Sequence, residues 1–335
     1  MKRARRPKSA GPLEGVLAAV AAAASEPSPE AARAALAQAL ADPSQHAAAR
    51  AAAVASERGF TELEEELCAA FSRFMNEPAE SDPNCTAKAA IVVALSALER
   101  PAWEVFQRGL EHVQIEPSYG APGGKADTAG GLRGSSAVAL AKSRDPGALH
   151  ALIERLVDPE RAARVGAAQA LGVLGVRESI GVLRLKALTG DDEPEVLSEC
   201  FLSLLAIDPG PSLAFVSGLL TASPDPSLQE TAALAIGQSR VAGAFEVLDR
   251  ARSSAGKGDL ARVILVAMAI LRQPAATERL LGIVRAGELP AAGHALAALA
   301  AFRGDPQLRA RVQAAVEEAG APRRLAEILQ REFSS

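Results

Sequence analysis

The chain has 335 residues, of which 49% are hydrophobic and only 3% aromatic, so its core must be built mainly from Ala, Leu and Val. This composition argues against a compact α/β enzyme, which carries more aromatic and β-branched residues, and it favours helices, for which Ala has the highest propensity. The formal net charge of −4, from 36 basic and 40 acidic residues, makes the chain a poor general binder of nucleic acid.

The start of the chain is basic and is predicted to be a disordered tail over residues 1–12. Its cations are Lys2, Arg3, Arg5, Arg6 and Lys8. A solvated tail is the main interpretation of such a run, and a nucleic-acid or membrane contact is the alternative. The Ala-rich residues 15–25 that follow resemble the apolar part and cleavage site of a signal peptide. Because Pro12 and Glu14 interrupt the start of this stretch, we instead predict a first helix in a cytoplasmic protein.

Residues 13–335 are predicted to form helical repeats. An acidic turn residue recurs every 31–34 residues in the middle of the chain, at Asp127, Asp158, Asp191, Asp225 and Asp259, and similar units start at Asp42, Asp82 and Glu288. Each turn precedes an Ala-rich helix, a short break and a second amphipathic helix, and no stretch shows the alternation of a strand. Since two such helices cannot bury their apolar faces alone, we predict an all-α, right-handed α-solenoid of about eight or nine stacked hairpins.

A polar feature repeats with the helices. An Asp in the turn is followed six residues later by a cation in three units: Asp82 and Lys88, Asp127 and Arg133, Asp158 and Arg164. This spacing predicts a structural ladder of bonds between adjacent repeats. The later units carry Leu197, Thr231 and Leu265 at the same offset and must rely on apolar packing.

One interval of the array is too long, because about a dozen residues are inserted at 114–126. Loops of this length without their own structure are usually functional or disordered. The insert contains the only tyrosine, Tyr119, and the only tryptophan, Trp103, begins the preceding helix. Both are candidate contact residues, although Trp103 also has the spacing of a residue that packs on the local core. Three further candidates are predicted to line the same edge: Glu116, Lys125 and Arg133.

The second helices carry charges of both signs, with Arg184 as a candidate contact among them. In a solenoid of this kind these helices are expected to line the concave face. Mixed charge is typical of a solvated surface, and it also suits a groove that binds a protein.

The unit that begins at Asp158-Pro159 resembles a HEAT repeat of the bacterial, phycobilisome-lyase-like kind, within the armadillo-type fold. The resemblance rests on Asp158-Pro159, Arg164, Ala167-Ala168 and the Ala-Leu-Gly at 170–172. It implies an α-solenoid but not one function, because that family includes enzymes, adaptors and transport factors. The di-iron hydroxylases of this fold carry His-Glu pairs on successive repeats, and this sequence has no His-Glu dipeptide.

No arrangement of residues predicts catalysis. The cysteines and histidines are scattered without the spacing of a metal site, and Gly123-Gly124-Lys125 lacks the other residues of a phosphate-binding loop. No apolar stretch predicts a membrane span. The sequence therefore predicts a non-catalytic scaffold without metal or cofactor, which binds a protein partner on its concave helical surface. A lyase-like or other accessory HEAT enzyme is the alternative, and a nucleic-acid-binding protein is a weaker one.

Overall fold

The structure is a computed structural model that describes residues 12–119, 122–145, 147–256, 258–320 and 322–333. All five cations of the basic tail lie outside these residues. The described chain contains twenty α-helices and one two-stranded sheet, and it divides into two compact units, Met1–Leu174 and Gly175–Ser335. The predicted all-α fold of α-solenoid type is confirmed. The prediction of one repeat region over residues 13–335 is compatible with either one unit or two.

The first unit contains helices α1 to α10. Their bounds are α1 Pro12–Ser25, α2 Pro29–Ala41, α3 Gln45–Glu57, α4 Glu64–Phe74, α5 Pro78–Ser81, α6 Thr86–Ala97, α7 Trp103–Glu111, α8 Gly130–Lys142, α9 Ala148–Arg155 and α10 Arg161–Leu174. Helices α3, α6, α8 and α10 pack side by side in one layer, and the second helices of the hairpins, such as α4 and α7, lie against it.

The second unit repeats this plan with helices α11 to α20. Their bounds are α11 Arg177–Thr189, α12 Pro194–Ile207, α13 Pro209–Ala222, α14 Pro226–Ser239, α15 Ala244–Ser254, α16 Asp259–Leu271, α17 Pro274–Ala286, α18 Ala291–Ala300, α19 Pro306–Glu317 and α20 Pro322–Phe333. Helices α12, α14, α16, α18 and α20 form its continuous layer. Helix α20 buries Leu325 and Phe333 and exposes most of its charged residues.

Short polar residues start many of the helices. The Ser28 and Ser44 side chains accept hydrogen bonds from the first turns of α2 and α3, and Asp225 and Asp305 do the same for α14 and α19. Proline stands at the first position of several of these helices, where its missing N–H has no helical partner to lose. Three of the Asp-Pro pairs of the sequence, at 208–209, 225–226 and 305–306, therefore act as helix starts.

Small residues bring α8 and α10 into direct backbone contact. Gly134 of α8 lies against Gly166 of α10, and a Cβ atom added at Gly134 would lie 2.5 Å from the carbonyl oxygen of Ala162. Neither glycine has space for a side chain, so the two helices pack backbone against backbone at this point.

The insert at 114–126 is a β-hairpin, which corrects the prediction that the chain lacks strands. Strand β1, Ile115–Pro117, pairs antiparallel with β2, Lys125–Asp127, so that Glu116 lies opposite Ala126. Each strand has only three residues, too few for an alternating pattern to be recognised in the sequence. The hairpin replaces the short link expected between α7 and α8.

Candidate functional site

The base of the hairpin contacts a ladder of largely buried charged residues. The Arg133 guanidinium, 1% exposed, donates to Asp127 at 2.8 Å and to both carboxylate oxygens of Asp158 at 2.8 and 2.9 Å. A fourth bond, of 2.8 Å, goes to the carbonyl oxygen of His112 at the end of α7. The predicted ladder is thus confirmed between these two repeats, and Arg133 fixes the start of α8 to the start of α10.

The preceding repeat has a buried lysine at the equivalent position, and this lysine pairs with the Asp of its own turn. Lys88 Nζ lies 3.0 Å from Asp82, both side chains are fully buried, and the same ammonium donates to the carbonyl oxygen of Phe74 at the end of α4. Asp82 also accepts from the backbone N–H groups of Ala87 and Lys88. A buried ion pair needs such additional bonds, because its desolvation costs about as much as its attraction returns.

The hairpin bridges these two levels through Gln114 and Glu116. The Gln114 side chain donates to the Asp82 carbonyl oxygen at 3.0 Å and to Glu116 Oε1 at 2.6 Å. Glu116 Oε1 also accepts from the backbone N–H of Asn84 at 2.8 Å and from the Thr128 hydroxyl. One carboxylate oxygen therefore joins the loop at 82–85, strand β1 and the residue after β2, and it holds the base of the hairpin in one position.

The hydrogen bonds at this base keep the Glu116 carboxylate ionised. Burial alone would raise the pKa of Glu116, but the bonds from Thr128, Gln114 and Asn84 together lower the pKa below its ordinary value. The pKa of Asp127 is likewise lowered, because bonds from Ala129, Gln114 and Arg133 outweigh the effect of burial. Ionised carboxylates are therefore part of the folded state of this region.

Glu116→Ala is expected to lower the free energy of unfolding of the first unit by about 1–3 kcal/mol, because Asn84 N–H and Gln114 lose a buried acceptor. Glu116→Gln keeps an acceptor and should cost less. The pKa of Glu116 is lower in the folded state than in the unfolded chain, where it is about 4.3. The stabilisation by ionised Glu116 is therefore complete above the unfolded-state pKa, and it is lost as pH falls through the folded-state pKa. Glu116→Gln should therefore reduce the loss of stability below pH 4.

Urea unfolding at pH 7 and at pH 3, followed by Trp103 fluorescence, measures this effect, because the only tryptophan lies in the first unit. Glu111→Gln at the exposed end of α7 is the matched control. Equal stabilities of the Glu111 and Glu116 variants at both pH values would show that Glu116 does not anchor the hairpin.

Exposed apolar side chains are concentrated on the free side of the hairpin. Tyr119 beyond β1 is fully exposed, and Ile115 and Val113 are 54% and 59% exposed. Lys125 on β2 is also exposed and has no ion-pair partner among the described residues. Exposed apolar groups on a segment with a rigid base are typical of a contact surface, because little conformational entropy remains to be lost on binding.

Neither edge of the hairpin suits the addition of another strand. Pro117 lacks an N–H on the β1 edge, and Lys125 places a charge on the β2 edge. Pro and Lys are the residues with which proteins protect exposed strand edges. Contacts of this hairpin must therefore be made by its side chains.

The structure divides the predicted contact residues into accessible and internal ones. Tyr119, Lys125 and Trp103 are accessible, and Trp103 is 48% exposed at the start of α7, so it does not pack fully on the core. Glu116 and Arg133 are 8% and 1% exposed. The prediction that these two line a surface edge needs correction, because their charges are satisfied internally and they position the hairpin instead.

Arg184 belongs to α11 of the second unit. Its guanidinium lies 4.6 Å from the centre of the Phe215 ring, a cation–π contact, and donates to the Pro211 carbonyl oxygen at 3.4 Å. This side chain therefore has local partners on α13 and is not part of the hairpin surface.

Three anchoring residues were missed by sequence reasoning: Asn84, Gln114 and Thr128. The side chains of Gln114 and Thr128 each form hydrogen bonds to residues at least twelve positions away, and Asn84 contributes its backbone N–H. No spacing rule identifies such residues. Asn84 and Cys85 adopt positive φ angles of 58° and 54°, a local geometry that turns the Asn84 N–H toward Glu116.

Two other kinds of site are absent from the described ranges. No group of three or more His, Cys, Asp or Glu side chains is placed to hold a metal ion. No helix among these residues is both long and apolar enough to cross a membrane.

No protein-family model matches the sequence, and no curated protein matches it either. Among solved structures, the chain is similar to human deoxyhypusine hydroxylase in complex with glycerol, with 17% identity and a TM-score of 0.28. That similarity covers 97% of this chain and 99% of the other. The complex of CpcE and CpcF of phycocyanin lyase from Nostoc sp. PCC7120 is also similar, with 17% identity and a TM-score of 0.27, covering 73% of this chain and 89% of the other. Both are HEAT-repeat helical proteins, and the resemblance to HEAT repeats is confirmed at the level of fold.

The comparisons correct the functional prediction. Both similar structures are named as enzymes, a hydroxylase and a lyase. These names contradict the predictions of a non-catalytic scaffold and of a chain that is not an enzyme, and both predictions are withdrawn.

Proposed function

We propose that this chain is an accessory component of an enzyme that modifies another protein, and that the hairpin at residues 113–127 recognises the protein to be modified. The observation that carries the recognition step is the fully exposed Tyr119 on a hairpin whose base is fixed by buried bonds to Glu116. Participation in an enzyme replaces the non-catalytic role withdrawn above.

The hairpin supports this proposal because its contact residues are preorganised. Glu116 and Gln114 attach β1 to the loop at 82–85, while Asp127 accepts from Arg133 at the end of β2. An aromatic anchor presented on a fixed base contributes more to affinity than the same side chain on a loop that must first become ordered.

The exposed residues indicate the chemistry of the partner. Tyr119, Ile115 and Val113 favour an apolar patch on the partner. Lys125, which pairs with no acidic side chain in the ranges that the structure describes, favours an acidic residue beside that patch. Because both strand edges are protected, the proposed partner surface is made of side chains on a folded protein and not of an extended segment added to the sheet.

A cytoplasmic location is part of the proposal. The structure has three free cysteines, Cys68, Cys85 and Cys200, of which the last two are buried. Burial raises the pKa of both buried thiols to about 12, so these are unreactive side chains that suit a reducing compartment.

Replacing Tyr119 by a photo-crosslinking phenylalanine analogue in the source cells is expected to capture the partner. The same analogue at Glu111, an exposed position at the end of α7, is the matched control. Intact-mass measurement of the captured protein, from cells with and without this chain, then tests the chemistry. We expect a covalent modification that depends on the chain and that Tyr119→Ala reduces at least tenfold, while Glu111→Ala leaves it unchanged.

Recognition by the hairpin and the enzymatic role can be contradicted separately. Equal capture at positions 119 and 111 would contradict recognition by the hairpin. A specifically captured protein whose mass is the same with and without the chain would contradict the enzymatic role.

A further inference from the structure

A groove runs along α8 in the first unit, and none of its lining residues belongs to the hairpin. Its volume is about 370 Å³, within the range of about 300–1,000 Å³ that is typical of small-molecule sites. Small residues of α8 form the floor, including Gly131, Ser135 and Val138. Helices α6 and α10 form the walls, with Val93 and Val165 respectively.

Gly134 of α8 and Gly166 of α10, which touch each other, both line the groove, and Val93 of α6 beside them is 54% exposed. An apolar side chain on the rim of an apolar groove loses water when a ligand binds, and this burial favours an apolar occupant.

The length of the groove limits the size of that occupant. The floor from Gly131 to Lys142 is about 16 Å long at 1.5 Å per residue, so it admits a ligand of about that length.

The lining distinguishes an alkyl chain from an extended peptide. Every buried peptide N–H and C=O needs a hydrogen-bonding partner. The groove offers only the side chains of Ser96, Ser135, Gln169 and Lys142, and its remaining lining residues are Gly, Ala and Val. An alkyl chain needs no such partners.

The charge of the lining determines the head group. Lys142 stands at the C-terminal end of the floor, no Asp or Glu lines the groove, and Lys142 makes no ion pair in the part of the chain that the structure describes. A carboxylate at this end would meet a cation without displacing an existing partner.

We propose that this groove binds a fatty acid, with its alkyl chain along α8 and its carboxylate at Lys142. The proposal is independent of the function proposed for the hairpin, because it uses none of the hairpin residues.

Titration calorimetry of the full chain with dodecanoate, below the concentration at which it forms micelles, tests the proposal. We expect one saturable site and at least tenfold weaker binding of dodecyltrimethylammonium, which has the same tail and the opposite charge. Lys142→Glu should weaken dodecanoate binding by about fivefold to tenfold, because a partly exposed ion pair becomes a repulsion. Lys125→Glu, the same change on the hairpin, should leave it unchanged.

A second variant tests the alkyl site. Ser135→Phe fills the floor and should weaken binding at least tenfold, with circular dichroism as the check that the helices persist. If Ser135→Phe does not fold, the comparison of dodecanoate binding by Lys142→Glu and Lys125→Glu tests the proposal. The proposal is overturned if dodecanoate shows no saturable binding, if the two lysine variants bind equally, or if the cationic amphiphile binds as tightly as dodecanoate.

Discussion

Arg133→Met is expected to lower the free energy of unfolding of the first unit by about 3–5 kcal/mol, because it removes the cation shared by the buried Asp158 and the partly buried Asp127. Asp158 then keeps the longer contact, of 3.4 Å, with Arg155. Asp127 and Asp158 both bond to the Arg133 guanidinium, and the His112 carbonyl oxygen loses its donor as well. Methionine is apolar and fills much of the same volume, so the effect reports mainly the lost charge and hydrogen bonds.

Urea unfolding followed by Trp103 fluorescence measures this loss in the first unit. Lys142→Met removes an exposed cation from the same helix and should change stability by less than about 0.5 kcal/mol. Similar losses in the two variants would mean that the Arg133 bonds contribute no more than a surface charge does. Hydrogen exchange of α8 and α10 should show the largest loss of protection, since Arg133 joins the starts of these two helices.

Gly134→Ala is expected to destabilise the first unit by about 1–3 kcal/mol, the usual cost of overpacking. In a helix without such a contact the same change would stabilise by up to about 1 kcal/mol. Here the substitution destabilises instead, because the new Cβ atom would lie 2.5 Å from the backbone oxygen of Ala162. The neighbouring α10 backbone would have to move to admit it.

Gly131→Ala is the matched control for this prediction. Gly131 lies one turn earlier in the same helix, and a Cβ atom there would have no neighbour within 4 Å. This variant should be neutral or slightly stabilising in the same unfolding experiment. Two glycine variants of equal stability would contradict the direct contact of α8 with α10.

The repeat spacing and the ladder could be predicted because both are local patterns repeated along the chain. The offset between Asp127 and Arg133 predicts their contact, since an Asp in the turn and a cation in the first helical turns lie close together in any such hairpin. The apolar stripes similarly predict which helix faces are buried. These features depend on spacing, and spacing is visible in a sequence.

The hairpin base and the groove could not be predicted in this way. Glu116 is an acidic residue in a long loop, which by composition alone belongs on the surface. Its burial depends on donors from Asn84, Gln114 and Thr128, and these meet only after the repeats have stacked. The contact between Gly134 and Gly166 likewise joins two repeats and has no signature within either one.

The way the insert is attached limits how this protein can change in evolution. Substitutions at Gln114, Glu116 or Thr128 would disturb bonds that also hold Asp82 and Asn84 in the preceding repeat. The turn beyond the strands is closed by a bond from Ser118 N–H to the Gly124 carbonyl oxygen, and Tyr119 lies within it without a contact to the core. Among relatives, sequence drift should therefore be confined to this turn. A new binding preference can then arise by replacing a few residues there, while the helical framework stays the same.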